Sequence, residues 1–433
     1  MDPLFIGVAA IVVMIALIIW GIPIAFSLAI VGIAGNVLLL GPAQAATQLQ
    51  LIAWETGTNF LLIAIPLFIF MGQLTYHTGL ATDLYEVVYK WLGRMPGGVA
   101  VTATVSSAGF GAVTGSSVTT IATMGSMVMP EMKRYGYDPR LASGSVASAG
   151  ALAILIPPSI PMVVYGVWTE TSIARLFIAG IIPGIIMAGL FAAYIVARCA
   201  LTPDMGPRGP GFTWAEKWKS LVKLLPVILI FFSVLGGIYG GIVTPTEASA
   251  VGCAAVALVA LAMRRLTLEN VMKALNQAAN ISGVLFFVVI GGIFISRFLV
   301  LTGLTPGAVG LIIDLDLGTY GVIAMLVLLY LVLGTFLETF GLLVLTLPFV
   351  MPVFVDLGID KVWVGIFLVL MIEMALITPP VGLNVFVMHK VAPDIGLPTI
   401  FRGSIPFVLI TLGAVALFTL LPDLVLWLPR QMN

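Results

Sequence analysis

Charged side chains are scarce in this sequence. Only 9% of its 433 residues are Asp, Glu, Lys or Arg, whereas 61% are hydrophobic. Soluble domains average about 25% charged and about 45–50% apolar residues. So few charges cannot cover the surface of a soluble fold of this length, and the excess apolar surface is expected to face a lipid bilayer. The formal net charge is zero, so nothing indicates electrostatic capture of nucleic acid.

Cysteine and histidine are also rare. Cys199 and Cys253 each lie in an apolar stretch and are interpreted as small core residues rather than a disulfide or metal site. His77 and His389 are far apart, and neither has a partner at metal-ligand spacing. There is no P-loop pattern, so ATP is not expected to be the energy source. The sequence therefore predicts a membrane protein that is not an enzyme.

The prolines recur at a fixed spacing. Four pairs stand 222 positions apart and keep their order along the chain: Pro23 and Pro245, Pro130 and Pro352, Pro157 and Pro379, and Pro158 and Pro380. A common offset of this kind indicates an internal repeat. We expect a first repeat over 1–201, a polar amphipathic linker over 202–223 and a second repeat over 224–433.

The basic residues predict the orientation of these halves. They cluster near Lys90, Lys133, Arg264 and in the interval 198–223, and the positive-inside rule places those clusters in the cytoplasm. Residues 97–132 would then enter the membrane and return as a re-entrant hairpin. Residues 321–354 would form a matching hairpin from the outside. The predicted fold is an all-α polytopic membrane protein with an inverted repeat, ten crossings, two hairpins and both termini outside.

Two helices carry a Pro-Pro pair, within 141–166 and within 362–388. Proline lacks an N–H and leaves a carbonyl one turn earlier without its helical partner. Irregular backbone in a bilayer is tolerated only where it lines a site, and broken helices in transporters supply oxygen ligands to Na⁺. The alternative is that the prolines only kink packed helices. We predict two Na⁺ sites with these candidate ligands: Thr114, Ala153, Ile156 and Pro157 in the first half, and Gly334, Ala375, Thr378 and Val381 in the second.

Helix N-termini that end inside the membrane favour anions such as carboxylates. Arg297 lies deep in an apolar helix, where it is a candidate for a substrate carboxylate; the alternatives are a pair with Glu338 or an outward-reaching side chain. Thr58, Asn59 and Asn280 are candidates whose alternative role is capping or helix–helix hydrogen bonding. The full set of candidate substrate residues is Thr58, Asn59, Ser116, Ser117, Asn280, Arg297, Thr339 and Asn384.

Several blocks of sequence, in order along almost the whole chain, resemble the large membrane subunit of tripartite ATP-independent periplasmic (TRAP) transporters. The blocks are Ala64 to Phe68, Pro130 to Met132 with Tyr137 to Arg140, Ile154 to Ser159, Gly236 to Gly252 and Leu376 to Asn384. One departure is Gly111, where members of the family often carry a hydroxyl residue; this weakens the case for a side-chain Na⁺ ligand at 111.

The resemblance implies Na⁺-driven import of an organic acid by an elevator motion of the hairpins and broken helices. It also implies a bacterial inner-membrane location and two partners, a small four-helix membrane subunit and a periplasmic substrate-binding protein. Two alternatives stay open. One is a proton-coupled or exchange transporter on the same scaffold, for which Glu338 and Glu373 are the acidic candidates. The other is a membrane enzyme, or an assembly subunit without transport of its own.

Overall fold

The computed structural model describes residues 2–432, and its regular structure is helical. The helices before the linker are α1 (Pro3–Ile19), α2 (Ile24–Leu40), α3 (Pro42–Thr58), α4 (Ala64–His77), α5 (Leu80–Leu92), α6 (Gly98–Thr114), α7 (Ser117–Arg134), α8 (Pro139–Leu155), α9 (Ile160–Thr169) and α10 (Ile173–Leu201).

The remaining helices begin in the predicted linker. They are α11 (Trp214–Ser220), α12 (Leu225–Phe231), α13 (Gly237–Tyr239), α14 (Pro245–Ala262), α15 (Leu268–Leu301), α16 (Leu304–Asp314), α17 (Gly318–Leu333), α18 (Thr339–Asp356), α19 (Lys361–Ile377), α20 (Leu383–Val391), α21 (Leu397–Leu420) and α22 (Asp423–Arg430). Short 3₁₀ or π turns occupy Phe60–Ile63, Pro203–Met205, Leu221–Leu224 and Phe232–Gly236.

Eight helical stretches in the described chain are apolar and long enough to cross a bilayer, judged by length and composition. They are Phe60–His77, Pro139–Thr169, Ile173–Leu201, Trp214–Tyr239, Pro245–Ala262, Leu268–Leu301, Thr339–Asp356 and Leu397–Leu420. The predicted class of all-helical, multi-pass membrane protein is therefore confirmed. Helix length does not test the ten crossings, their directions or the inversion of the repeat, which stay predictions.

The order of the helices repeats along the chain. A Thr-Gly-Leu sequence precedes both α5 and α16, and its glycine adopts a left-handed φ of 75° at Gly79 and 76° at Gly303. Each of these helices is followed by a helix–turn–helix pair, then by a helix broken at Pro-Pro, then by a long helix. The turns fall at 115–116 and 334–338, inside the predicted hairpins over 97–132 and 321–354. The breaks fall at 156–159 and 378–382, where the Pro-Pro pairs stand.

The first broken helix lies at the centre of the molecule. Every residue of α8 from Leu141 to Leu155 is buried, and α8 packs against α6, α7 and α21. Its small residues allow this close approach: a Cβ at Gly144 would overlap the backbone of Gly403 in α21, and a Cβ at Gly403 would overlap the carbonyl of Arg140. In membranes small residues let helix backbones touch, so the serines, alanines and glycines of α8 explain its position.

The linker is docked on the first half by main-chain hydrogen bonds. The N–H of Gly97 donates to the Gly206 carbonyl at 3.0 Å, and the N–H of Gly209 donates to the Gly93 carbonyl at 2.9 Å. Beyond α11, the Lys223 ammonium donates to the Glu86 carboxylate at 2.5 Å. Hydrogen bonds from Lys223 and Lys90 hold the pKa of Glu86 below its usual range, so this contact is between charged groups at neutral pH.

Because of the α8–α21 contact, we expect alanine substitutions at two glycines of α21 to change the stability of the protein by different amounts. We expect Gly403→Ala to destabilise the protein by about 1–3 kcal/mol, because the new methyl group overpacks a backbone contact. Gly413→Ala, also in α21, has open space around its Cβ position and should be neutral or stabilising by up to about 1 kcal/mol. Thermal unfolding in detergent, followed by intrinsic fluorescence, measures both. Equal midpoints for the two variants would contradict the close contact.

Candidate functional site

Four helix N-termini meet at one cavity. The first residues of α7, α9, α18 and α20 are Ser117, Ile160, Thr339 and Leu383, and all four line a cavity of about 230 Å³. This volume is below the usual range for small-molecule sites, about 300–1,000 Å³, so only a small ligand would fit. Each N-terminus presents unpaired N–H groups and a partial positive charge. The cavity is therefore suited to a small anion.

The wall formed by the first hairpin is polar. Thr114, Gly115, Ser116, Ser117 and Thr119 all line the cavity. Gly115 makes the turn with a left-handed φ of 58°, and a Cβ there would stand 2.7 Å from the carbonyl oxygen of Pro158. Glycine is thus required both by backbone geometry and by the approach of the hairpin tip to the first Pro-Pro break.

The opposite wall comes from the second hairpin, through Glu338, Thr339 and Phe340. Glu338 is the N-cap residue of α18, although its side chain does not cap the helix by a hydrogen bond. The arms of this hairpin are joined by a buried hydrogen bond between the hydroxyls of Tyr330 and Thr346. Both arms pack against α19, so the hairpin tip is held beside the second broken helix.

The two hairpins contact their broken helices through matching residues. A Cβ at Gly111 would overlap Ala153 in α8, and a Cβ at Gly334 would overlap Ala375 in α19. Gly111 therefore has no room for a larger side chain. The contacts place the C-terminal end of each hairpin's first arm, where carbonyls lack helical partners, beside the carbonyls expected at the break.

The carbonyls at the two breaks are satisfied to different degrees. Although Pro158 removes its helical partner, the Ile154 carbonyl accepts a hydrogen bond from the Ser159 hydroxyl. The Ala375 carbonyl accepts a long bond of 3.3 Å from the Thr378 N–H, so it is not wholly free as the sequence suggested. A carbonyl has two lone pairs, and Ala375 keeps one for a cation.

The candidate cation ligands are neutral oxygens, which suit a hard monovalent ion. The Thr114 hydroxyl is 3.2 Å from that of Thr120 and 3.3 Å from the Phe110 carbonyl. The Thr378 hydroxyl donates to the Met374 carbonyl at 2.6 Å, which leaves its own oxygen available. The first break is buried at Pro157, whereas Val381 in the second is 41% exposed. The donor set fits Na⁺ in both halves, with more solvent access in the second.

Three of the eight candidate substrate residues line this cavity, and two more, Asn384 and Asn280, each stand next to a lining residue in the sequence. Ser116, Ser117 and Thr339 line it. Asn384 directly follows the lining residue Leu383 and is fully buried; its Nδ2 is 3.5 Å from the Ala147 carbonyl. The Oδ1 atom of Asn384 is buried without a hydrogen-bond partner in the described chain.

The other four candidates do not line this cavity. Arg297 contacts Glu55 at 3.5 Å rather than Glu338, and both line a separate cavity of about 420 Å³ with Asn59. Asn59 accepts a hydrogen bond from the Leu61 N–H at 3.0 Å and so caps a 3₁₀ turn. The remaining two are exposed: Thr58, whose hydroxyl donates to the Trp54 carbonyl at 2.7 Å, and Asn280, beside the lining residue Ile281.

Three polar residues of the site were not expected from the sequence. Gln73 in α4 and Thr119 in α7 line the cavity, and Thr120 contacts Thr114. Gln73 is 6% exposed and is the one amide side chain in the apolar helix α4. An isolated polar residue in such a helix is a functional candidate, and this signal could have found it.

Helical hairpins, broken apolar helices and a cavity at their ends are an arrangement found in membrane transporters. The chain belongs to the family described as "Tripartite ATP-independent periplasmic transporter, DctM component", whose model matches residues 11–424. It is therefore a transporter subunit and not an enzyme.

Individual relatives are similar in sequence to this chain along nearly their full length. The C4-dicarboxylate TRAP transporter large permease protein DctM of Pseudomonas aeruginosa is 34% identical, with 93% of this chain and 94% of that protein covered. The ectoine/5-hydroxyectoine TRAP transporter large permease protein UehC of Ruegeria pomeroyi is 32% identical, with 96% of each covered. The crystal structure of the Alcanivorax borkumensis YdaH transporter shares the fold, with a TM-score of 0.61 at 16% identity over 94% of this chain and 98% of that one.

Gln73 gives the site a direct test. We expect Gln73→Met, which keeps the length of the side chain but removes its amide, to raise the half-saturating substrate concentration for uptake about tenfold, because a hydrogen bond to a charged group is lost. Gln277→Met is the matched control, since Gln277 is an exposed residue that contacts His77 at 3.0 Å. The measurement is the substrate dependence of uptake. Equal values for both variants would remove Gln73 from the substrate site.

Proposed function

We propose that this chain is the translocating subunit of a Na⁺-coupled importer of a small organic acid in the bacterial inner membrane. The observation that supports this most directly is the convergence of the N-termini of α7, α9, α18 and α20 on one cavity. Two of these helices follow hairpin tips and two follow Pro-Pro breaks. Both halves of the chain thus contribute equally to one anion site.

The substrate carboxylate would bind at these N-termini. Hydroxyls of Ser116, Ser117, Thr119 and Thr339 and the amide of Gln73 are hydrogen-bond donors on the cavity wall. C4-dicarboxylate and ectoine, which the names of two relatives specify, both carry a carboxylate. A carboxylate is therefore the substrate class that we propose for this chain.

Two Na⁺ ions would bind at the helix C-termini beside the same cavity, whose lining includes Thr114. Helix C-termini carry a partial negative charge, and α6 and α8 end at Thr114 and Leu155. In the first site the ligands would be Thr114 with the carbonyls of Ala153, Ile156 and Pro157. In the second they would be Gly334, Ala375, Thr378 and Val381. Na⁺ at these points would hold the hairpin tips against the breaks and so complete the anion site.

Transport would proceed by an elevator motion. The hairpins and broken helices form a body packed around α8 and α19, while α15 runs beside α2 and α4 as part of the scaffold. A periplasmic binding protein would deliver the substrate, and a small four-helix membrane subunit would complete the scaffold. Arg297 and Asn59, in the separate cavity between α3, α9 and α15, would contact the substrate outside the central site.

Uptake into proteoliposomes tests the proposal. The vesicles contain this chain with its small subunit, and the binding protein and a panel of radiolabelled carboxylates are added outside. We expect uptake with an inward Na⁺ gradient and none when K⁺ replaces Na⁺ or when the binding protein is omitted. Uptake that persists without Na⁺ would contradict the coupling ion.

The two threonines test the ion sites separately. Thr114→Ala and Thr378→Ala should each raise the Na⁺ concentration for half-maximal uptake about tenfold, which corresponds to about 1.4 kcal/mol. Thr419→Ala is the control, because the Thr419 hydroxyl also donates to a carbonyl one turn earlier, at 2.7 Å, but lies in α21 away from the site. A uniform effect of all three variants would indicate general destabilisation instead.

A further inference from the structure

One carboxyl group in the interior has no counter-charge. Glu373 in α19 is 2% exposed, and its Oε1 atom is buried without a hydrogen-bond partner in the described chain. No ion pair among residues 2–432 includes Glu373. An ionised group buried in this way is costly unless a charge of opposite sign compensates it.

Glu373 stands where the two broken helices meet. It lies one turn before the end of α19, at Ile377, and α19 packs against α8, which ends at Leu155. Under the 222-residue repeat, Leu155 corresponds to Ile377 and Glu373 corresponds to Ala151. Along the chain Glu373 is two residues from Ala375.

The helix ends make this position unfavourable for an isolated carboxylate. Both α8 and α19 present the negative end of their dipole here. The helices that pack against α19 are α8, α9, α10, α17, α18, α20, α21 and α22. Their charged side chains lie near the helix ends: Arg140, Arg175, Arg198, Asp356, Lys390, Arg402, Asp423 and Arg430. A cation bound between the two breaks would be attracted by the Glu373 carboxylate and by the C-terminal ends of α8 and α19.

We propose that Glu373 is the counter-charge for the Na⁺ ions bound at the two breaks, through an electrostatic interaction shared by both sites. This inference rests on the proposed function. The ligands proposed above are neutral oxygens, so Glu373 would supply a fixed negative charge at the breaks themselves, in addition to the helix dipoles and before the substrate carboxylate binds. The second half alone supplies this charge, because its repeat counterpart is Ala151. Glu373 is thus a positioning residue for the ions and not a substrate ligand.

Na⁺ binding to the purified assembly tests the role without transport. NaCl is titrated against choline chloride at constant ionic strength, and the affinity is read from calorimetry and from the shift in thermal unfolding. Glu373→Gln keeps the shape of the side chain and removes its charge, so we expect the Na⁺ affinity to fall about tenfold or more. Glu373→Asp keeps the charge and should lose less. Glu269→Gln, an equal change of charge at an exposed residue paired with Lys273, should leave the affinity unchanged.

The outcomes separate the two proposals. If the wild-type protein does not respond to Na⁺, the proposed coupling ion is wrong and this inference fails with it. If the wild type binds Na⁺ and Glu373→Gln binds it equally well, Glu373 is a neutral packing residue and only this inference is overturned. If Glu373→Gln does not fold, infrared difference spectra of the wild type decide: Na⁺ addition should perturb a glutamate carboxyl band, and an unchanged carboxyl region would overturn the proposal.

Discussion

The structure depends on the high cost of unpaired backbone polar groups in hydrocarbon. A helix that stops inside a bilayer leaves four N–H groups at one end or four carbonyls at the other without partners. The chain contains two hairpin turns and two Pro-Pro breaks, and each creates both kinds of end. If these helix ends lay apart, each would need its own hydrogen-bond partners for its backbone groups. Brought together, the N-termini of α7, α9, α18 and α20 border one cavity, and the C-terminal residue of α6, Thr114, borders it as well.

Close packing keeps the ends together. Gly111 against Ala153 and Gly334 against Ala375 allow each hairpin arm to touch its broken helix, and Gly144 against Gly403 brings α21 onto α8. A larger side chain at any of these points would separate the elements by a few tenths of an ångström or more. Hydrogen bonding is steep in distance, so small residues far from the ligand still determine the geometry of the site.

The sequence predicted the elements whose conformation is determined by a short stretch of chain. Gly115 needs a left-handed turn, and Pro157 and Pro379 cannot continue a helix, so the hairpin tips and breaks follow from short stretches of chain. The Pro-Pro spacing also predicted that both halves build the site, because a repeat carries the same local causes twice. Ser116 lies in the first turn, and Ser117 and Thr339 begin the helices after the two turns, so all three line the cavity for the same local reason.

Contacts between distant segments were harder to predict. Nothing near Arg297 in the sequence indicates Glu55 as its partner, because the pairing depends on how α3 lies on α15. Gln73 reaches the cavity only because α4 crosses the tip of the first hairpin, where Gly72 has Thr114 within contact distance. The docking of the linker likewise depends on backbone hydrogen bonds to Gly93 and Gly97, and backbone groups carry no sequence signal.

The contact of Gly111 with Ala153 has an evolutionary consequence. The atom nearest to a Cβ at position 111 would be the Cα of Ala153, so close that only glycine fits there while α6 and α8 keep this spacing. Glycine in place of Ala153 would not remove this overlap, because its Cα occupies the same position. A relative that bears a hydroxyl residue at the position of Gly111 must therefore hold these two helices further apart, whatever residue stands opposite.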